Sequence, residues 1–171
     1  RLGLPYTVSL RGSDVPGYSK RMRLLENLGM RRLSAGIWKR AGVTVVNSKG
    51  LGELAVRTVD QHYPVIPNGV DCETFFPDEK LNQKEDKSES LRLISTGRLI
   101  PRKGYDLLIQ ALGQEELVLI GDGPEKQELM ELAKGKKVVF LGEQPSSVIA
   151  KELRKSDVFV LPSSNEGMSN S

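Results

Sequence analysis

Seven short apolar runs, most of them rich in β-branched residues, recur along the chain, and helical or polar segments separate most of them. The runs are YTVSL, VTVVNS, HYPVIPNG, LRLISTG, LVLIGDG, KVVFLG and VFVLPSS. Runs of this kind predict strands, and the alternation of strand and helix predicts parallel sheets covered by helices. The sequence therefore predicts an α/β fold, with helices over residues 20–40, 49–59, 104–112, 124–133 and 146–155.

One charged stretch, PDEKLNQKEDKSESL, interrupts this alternation and has almost no apolar residues between positions 82 and 90. Such a composition is typical of a linker or an exposed loop. We predict that residues 1–78 form the later part of one domain, residues 79–90 a linker, and residues 91–171 the beginning of a second domain. Because the chain lacks an initiator methionine and no helix follows EGMSNS, we expect it to be a piece of a longer protein with both domains incomplete.

Several function classes are disfavoured by what the chain lacks. The single cysteine, Cys72, cannot form an intrachain disulfide. No apolar run approaches the roughly 20 residues that span a bilayer, so we expect a cytoplasmic protein. Neither GxGxxG nor GxxxxGK[ST] occurs, which argues against nicotinamide-binding enzymes and nucleoside triphosphatases. No cluster of His, Cys and carboxylates has ligand spacing, so we predict no metal site.

Four successive strands of the second domain end in turns with glycines or charged residues: TGRLIPRKG, IGDGPE, LGEQPSS and PSSNEGMSN. Parallel strands end at one edge of a sheet, so these turns would line one crevice. Arg98 and Lys103 supply cations near a helix N-terminus, which suits a phosphate, and Glu166 supplies a carboxylate for hydroxyl groups. We expect Arg102 to face solvent. On the residues alone, an ordinary tight turn, a solvated basic rim and a surface glutamate remain alternatives.

Seven sequence blocks, in order, resemble the family 4 glycosyltransferases of the GT-B fold. They are PYTVSLRGSDVPG, VTVVNSKGLGELA, VIPNGVDCETFFP, ISTGRLIPRKGYDLLIQAL, LVLIGDGPEKQEL, VVFLGEQP and SDVFVLPSSNEGMSNS. The resemblance implies two Rossmann-like parallel-sheet domains, the acceptor domain first and the donor domain second. It also implies retaining transfer of a hexose from a UDP- or GDP-sugar to a glycan or lipid-linked acceptor in cell-envelope polysaccharide biosynthesis, without a cofactor. We expect the chain by itself to be inactive.

The resemblance assigns roles to individual residues. Arg98 and Lys103 would hold the donor diphosphate and offset the negative charge of the leaving group, and Glu166 would contact the transferred sugar. These three form the implied catalytic group. Glu166 opens the family's E-x7-E motif, whose second glutamate would fall beyond Ser171. The implied donor-binding residues are Gly97, Gly121, Asp122, Gly123, Leu141, Gly142, Gly167, Met168 and Ser169.

The implied acceptor-side residues are Arg11, Gly12 and Asp14. Many relatives have His-Gly where this chain has Arg11-Gly12, so a permanent cation replaces a histidine that is expected near the transferred sugar. Asp14 would either cap a helix or bind acceptor hydroxyls, and both interpretations stay open. We interpret His62, the one histidine, as an incidental surface or strand-end residue.

The segment from Lys20 to Arg40 carries seven cations against Glu26 alone. Its apolar residues recur at helical spacing, namely Met22, Leu25, Leu33 and Ile37. Such a stripe usually packs a helix on its sheet, but a basic amphipathic face also suits peripheral contact with an anionic membrane at its inner face. Two other classes remain as alternatives: a non-catalytic sugar-nucleotide-binding domain and a basic nucleic-acid-binding module. Because only 5% of the residues are aromatic and form no stacking platform, we expect no nucleic-acid partner.

Overall fold

The computed structural model describes residues 4–18, 29–78 and 90–164, and these fall into two compact units. Among the described residues, the first unit ends at Gly69 and the second begins at Val70. Both units contain parallel strands with helices between them, which confirms the predicted α/β class.

The first unit has a parallel pair of strands, β1 (Thr7–Leu10) and β2 (Val43–Val46). Two helices accompany them, α1 (Arg31–Arg40) and α2 (Lys49–Val56). The hydroxyl of Ser48 accepts a hydrogen bond from the amide of Leu51 at 3.3 Å and so caps α2. The buried core of this unit consists of Leu10, Val15, Trp38, Val46, Leu51, Ala55, Val59 and Tyr63.

The run HYPVIPNG makes one parallel bridge, between Val65 and Val46, instead of a strand. The amide of Val46 donates to the carbonyl of Pro64 at 3.0 Å, and the amide of Ile66 donates to the carbonyl of Val46 at 2.8 Å. Pro64 has no amide hydrogen to donate on the side that faces β2, so the ladder cannot extend toward the start of the run. The strand predicted here is therefore reduced to a single bridge.

The described part of the predicted helix 20–40 is α1, and its residues 20–28 lie outside the description. Trp38 faces the core, whereas Leu33 and Ile37 are 69% and 52% exposed. At 100° per residue, Trp38 lies 100° or more around the helix from both. The expectation that Leu33 and Ile37 pack on the sheet is therefore wrong, because the large aromatic side chain occupies the core-facing side.

The second unit has a four-stranded parallel sheet in the order β5–β4–β3–β6. Its strands are β3 (Arg92–Thr96), β4 (Glu116–Ile120), β5 (Val138–Gly142) and β6 (Val158–Phe159). Its helices are a 3-10 turn (Pro101–Lys103), α3 (Tyr105–Ala111), α4 (Lys126–Leu132) and α5 (Ser146–Arg154). The predicted strands and helices of this unit are all present, with ends within three residues of the prediction, except that only Val158–Phe159 of the run VFVLPSS form a strand.

Both faces of this sheet are covered, as the unbroken apolar run of β4 predicts. Leu117 and Leu119 belong to a core cluster that also contains residues of α3 and α4. Val118 and Ile120 belong to a second cluster, against which Ile149 of α5 packs. Successive side chains of a strand point to opposite faces, so β4 contributes to both layers.

Ion pairs join the amino ends of β3 and β4 to α5. Nε of Arg92 lies 3.1 Å from Glu116, and its Nη2 lies 3.0 Å from Glu152. Lys155 Nζ lies 2.6 Å from the other oxygen of Glu152. The hydrogen bond from Lys155, with that from Arg92, lowers the pKa of Glu152 despite the opposing effect of desolvation.

Residues 70–78 belong to the second unit through contacts with α5. Nη1 of Arg154 donates to the carbonyl of Thr74 at 3.3 Å, and its guanidinium lies 4.7 Å from the centroid of the Phe76 ring. Asp71 closes the preceding turn, accepting hydrogen bonds from the amide of Glu73 and from Thr74. The predicted linker, residues 79–90, lies outside the described residues except for Ser90, and it stays a prediction.

Candidate functional site

The turns that follow β3 and β4 lie side by side at the carboxyl edge of the second unit's sheet. The amide of Gly97 donates to the carbonyl of Ile120 at 2.9 Å, and the amide of Leu99 donates to the carbonyl of Asp122 at 2.9 Å. The backbone ladder of the two strands therefore continues into their turns. These hydrogen bonds fix the turn after β3, which carries Arg98 and Lys103, at the edge of the sheet.

Two glycines of the second turn are needed for this close approach. A Cβ on Gly121, whose φ is +140°, would collide with the carbonyl oxygen of Gly97, and one on Gly123 would collide with that of Leu99. The amide of Gly121 also donates to the carbonyl of Gly142 in the next turn at 2.7 Å. The glycines of the GDGP motif therefore allow this turn to pack against its neighbours. This packing requires glycine whether or not a ligand binds here.

The two predicted phosphate-binding cations differ in burial. Arg98 is exposed, whereas Lys103 is only 7% exposed. A Cβ built on Gly97 would lie 3.4 Å from Lys103 Cε and 3.5 Å from its Nζ, so the ammonium lies against the backbone of Gly97. Arg102 is exposed, as predicted.

The residue after Lys103 fixes the course of this turn. Gly104 has φ +67° and ψ 26°, and a Cβ there would lie 2.6 Å from the carbonyl oxygen of Pro162. The amide of Ser164 donates to the carbonyl of Arg102 at 3.1 Å. The turns after β3 and β6 are therefore in contact, as parallel strand order predicts.

Four predicted site residues, Glu166, Gly167, Met168 and Ser169, lie outside the described residues. The segment that leads to them is anchored, because the hydroxyl of Ser95 donates to the carbonyl of Val160 at 2.6 Å. The roles that the sequence motifs imply for the four residues stay predictions.

Asp122 accepts hydrogen bonds from its own turn and from the first residue of α4. Its Oδ1 accepts from the amide of Gly123 at 2.7 Å, and its Oδ2 accepts from Lys126 Nζ at 2.6 Å. These bonds, that of Lys126 first, lower the pKa of Asp122. We did not predict Lys126 from the sequence, although an Asp followed by Lys four residues later is a known helix-surface pair.

Leu141 contributes to packing within the second unit. The register between β4 and β5 shifts after Leu119, so that Gly142, and not Leu141, lies opposite Ile120. The Leu141 side chain packs on the core cluster that contains Ile120, and its carbonyl accepts from Gln144 Nε2 at 2.7 Å. A donor-binding role for Leu141 and Gly142 remains a prediction.

In the first unit, Asp14 closes the turn after β1. Its Oδ1 accepts from the amide of Gly12 at 2.7 Å, and both carboxylate oxygens lie 3.0 Å from the amide of Arg11. Buried Asn47, at the end of β2, donates from Nδ2 to the carbonyl of Arg11 at 3.4 Å. Arg11 itself is exposed, and so is His62. Asp14 thus serves as a turn cap, and Asn47 is a neighbour that the sequence interpretation missed.

Residues 4–18, 29–78 and 90–164 contain neither a candidate metal-binding cluster nor a helix that could span a membrane. No three His, Cys, Asp or Glu side chains there are grouped so that they could hold a metal ion. No helix within those ranges has the length and apolar content needed to cross a membrane.

Residues 77–170 match the family described as Glycosyl transferases group 1. Because the match covers more than half of the chain, the chain belongs to this family, and the GT-B resemblance of its motifs is confirmed. Bacillus subtilis (strain 168) TuaC, named as a teichuronic acid biosynthesis glycosyltransferase, is 30% identical over 177 residues, which cover 96% of this chain and 42% of TuaC. The Arabidopsis thaliana sulfoquinovosyl transferase SQD2 is 29% identical over 139 residues, 75% of this chain and 27% of SQD2.

Solved structures with the same fold include Anabaena Alr3699/HepE in complex with UDP and glucose, with a TM-score of 0.65 and 21% identity. Sucrose-phosphate synthase from Thermosynechococcus elongatus has a TM-score of 0.74 and 19% identity. The alignments cover 91% and 98% of this chain, but only 45% and 46% of those chains. The chain therefore spans less than half the length of the proteins that it resembles.

Proposed function

We propose that this chain carries the diphosphate-binding part of a glycosyltransferase site, in an enzyme that moves a hexose from a UDP- or GDP-sugar to a glycan or lipid-linked acceptor with retention. One observation carries the proposal: the Lys103 ammonium lies buried against Gly97 at the carboxyl edge of a parallel sheet. Such edges are the usual ligand sites of open α/β sheets. The positive charge of Lys103 at such an edge suits an anionic ligand.

Arg98 and Lys103 would act on the diphosphate during reaction. As the bond between the anomeric carbon and the diphosphate oxygen breaks, the electron pair stays with the diphosphate, and its negative charge grows. The acceptor hydroxyl forms the new bond to that carbon and passes its proton to an oxygen of the leaving diphosphate. Cations already in place stabilise the growing charge without reorganisation. The planar guanidinium of Arg98 suits two phosphate oxygens, and Lys103 acts as a point charge.

The relatives support two nucleotides as probes. HepE is described in complex with UDP and glucose, and a relative from Mycolicibacterium smegmatis is named as a GDP-mannose-dependent mannosyltransferase. We would measure the binding of UDP, GDP and inorganic pyrophosphate to the chain by calorimetry. Binding of one nucleotide that Lys103→Ala weakens and Arg102→Ala leaves unchanged would support the proposal. If neither nucleotide nor pyrophosphate binds, the proposal is wrong.

A lipid-linked acceptor is favoured by the exposed face of α1. Leu33 and Ile37 lie on one exposed side of this helix, and Met30 before it is also exposed. Exposed basic residues flank them, namely Arg32, Lys39 and Arg40. Apolar residues beside cations suit an anionic lipid surface. We expect the chain to float with phosphatidylglycerol vesicles and not with phosphatidylcholine vesicles, and Leu33→Ser/Ile37→Ser to abolish flotation. Equal flotation of the variant would contradict lipid contact.

A further inference from the structure

The backbone of Arg11 and Gly12, directly after β1, is held at every one of its polar groups. The amide of Arg11 lies 3.0 Å from both carboxylate oxygens of Asp14, and the amide of Gly12 lies 2.7 Å from one of them. The amide of Val15 donates to the carbonyl of Gly12 at 2.9 Å. The carbonyl of Arg11 accepts from Nδ2 of Asn47 at 3.4 Å. The course of the backbone at Arg11 is therefore fixed.

The side chain of Arg11 is exposed, in contrast to its fixed backbone. Among the described residues, its guanidinium has no ion-pair or hydrogen-bond partner. Arg11 follows β1 at the carboxyl edge of the β1–β2 pair, and such edges are the usual ligand sites of open parallel sheets. A planar guanidinium matches two oxygens of a phosphate or a carboxylate. A fixed turn below it reduces the freedom that binding would remove, so this arginine suits an oxyanion.

Asn47 joins this turn to the end of β2. The ladder of the two strands ends with Leu10 opposite Val46, so Asn47 lies one step beyond, opposite Arg11. Asn47 is only 4% exposed, and its Oδ1 has no hydrogen-bond partner in the described part of the chain. A buried oxygen without a partner costs free energy, and leucine would fill a similar volume without that cost. The bond to the Arg11 carbonyl is what asparagine supplies here and leucine could not.

We propose that Arg11 binds an oxyanion of the acceptor, a phosphate or a carboxylate, and that Asn47 is the positioning residue that fixes Arg11 for it. This inference rests on the proposed function and narrows its acceptor to an anionic one. A neutral acceptor would offer the guanidinium no charge to pair with. The donor diphosphate is assigned to Arg98 and Lys103 in the second unit, so the two anions should respond to different variants.

The test is an NMR titration of the isotopically labelled chain with glycerol phosphate, glucuronate and glucose. We expect a charged probe to shift the amide resonances of the turn after β1, and glucose to shift none of them. The charged probe that binds more tightly identifies the oxyanion. Arg11→Ala should weaken its binding about tenfold, as for loss of a hydrogen bond to a charged group. Arg57→Ala, which removes another exposed arginine of the first unit, should have less than a twofold effect.

UDP distinguishes failure of this inference from failure of the proposed function. Lys103→Ala should weaken the binding of UDP and leave that of the charged probe unchanged, and Arg11→Ala should not alter UDP binding to the chain. If UDP binds but neither charged probe does, or if Arg11→Ala binds the charged probe as well as the unchanged chain does, the inference is wrong and the proposed function stands. If UDP, GDP and pyrophosphate all fail to bind, both are wrong.

The positioning role of Asn47 has its own readout. Asn47→Leu should weaken the binding of the charged probe about threefold, as for loss of a neutral hydrogen bond, and should leave UDP binding unchanged. Arg11→Ala/Asn47→Leu should bind no more weakly than Arg11→Ala alone, because Asn47 acts through Arg11. Independent, additive losses would contradict the positioning role.

A second measurement does not depend on the folding of Asn47→Leu. In the unchanged chain, the side-chain amide resonances of Asn47 should shift when the charged probe is added and stay in place when glucose is added. The side-chain amide of Gln127, which lies on an exposed position of α4, should move in neither case. Asn47 resonances that do not respond to a bound charged probe would overturn the coupling between Asn47 and Arg11.

Discussion

Gly121 approaches Gly97 so closely that any side chain at position 121 would meet the carbonyl oxygen of Gly97. The contact joins the turns after β3 and β4, and Gly121 has a φ of +140°, which favours glycine. The glycine that the GDGP motif places here is thus explained by packing between two turns. This packing in turn sets the backbone against which the Lys103 ammonium lies.

Gly121→Ala should destabilise the second unit by about 3 kcal/mol or more, because the new Cβ requires both a backbone shift and a strained φ. Gly113→Ala is the control, since a Cβ there makes only an ordinary contact, 3.5 Å from Glu115. We expect the control to change stability by less than about 0.5 kcal/mol. Urea denaturation of both variants checks this. Equal, small losses would show that the turns separate easily.

Much of the fold was predictable because it depends on local pattern. β-branched runs located β1 to β6, and apolar spacing located the helices. The prediction was wrong where a local pattern had to predict tertiary packing. Pro64 lacks the amide hydrogen that would extend the ladder of HYPVIPNG, and Trp38, not Leu33 or Ile37, occupies the core-facing side of α1.

The meeting of the turns at the sheet edge was predictable from the sequence, but the detail of the candidate site was not. Parallel strands end at one edge, so the turns had to meet there. The burial of Lys103 and the exposure of Arg98 depend on the short 3-10 turn and on the left-handed conformation of Gly104, which the spacing of the two cations does not reveal. The partner of Asp122 depends on where α4 begins, and helix ends are the part of a sequence-based prediction that is hardest to place.

The three cations around the turn after β3 should differ in their kinetic effects. In a preparation that transfers sugar, Arg98→Ala and Lys103→Ala should each reduce kcat/KM by a factor equivalent to about 2 to 4 kcal/mol, because under the proposed function each removes a charge that would stabilise the leaving diphosphate. Arg102→Ala should have little effect, although Arg102 is adjacent to Lys103 and equally cationic. Initial-rate kinetics with the donor varied provide the measurement. Equal losses for all three would indicate a general basic rim instead of two phosphate ligands.

Acid should destabilise the second unit partly through Glu152. Its pKa is held below the ordinary value of 4.5 by Lys155 and Arg92, so its stabilising contribution is present above about pH 4.5. This contribution is lost as the pH falls through the lowered pKa of the folded state. Glu152→Gln should be less stable at pH 7 and should lose less stability between pH 6 and pH 3. Urea midpoints across this range check the sign, with exposed Glu128→Gln as the control. The same acid loss in Glu152→Gln as in the unchanged chain would refute the assignment.

Arg154 should hold residues 70–78 on α5. Its guanidinium contacts the Phe76 ring and donates to the carbonyl of Thr74, which is worth about 1 kcal/mol at a partly exposed site. Arg154→Ala should therefore speed amide hydrogen exchange in residues 70–78 about fivefold and leave exchange in β4 unchanged. Lys151→Ala, on an exposed position of the same helix, should change neither. Arg154→Lys retains the charge but loses the flat stacking surface, so it should restore only part of the protection. If exchange in residues 70–78 were the same in all three variants, the segment would owe its position to other contacts, and Arg154 would have no anchoring role.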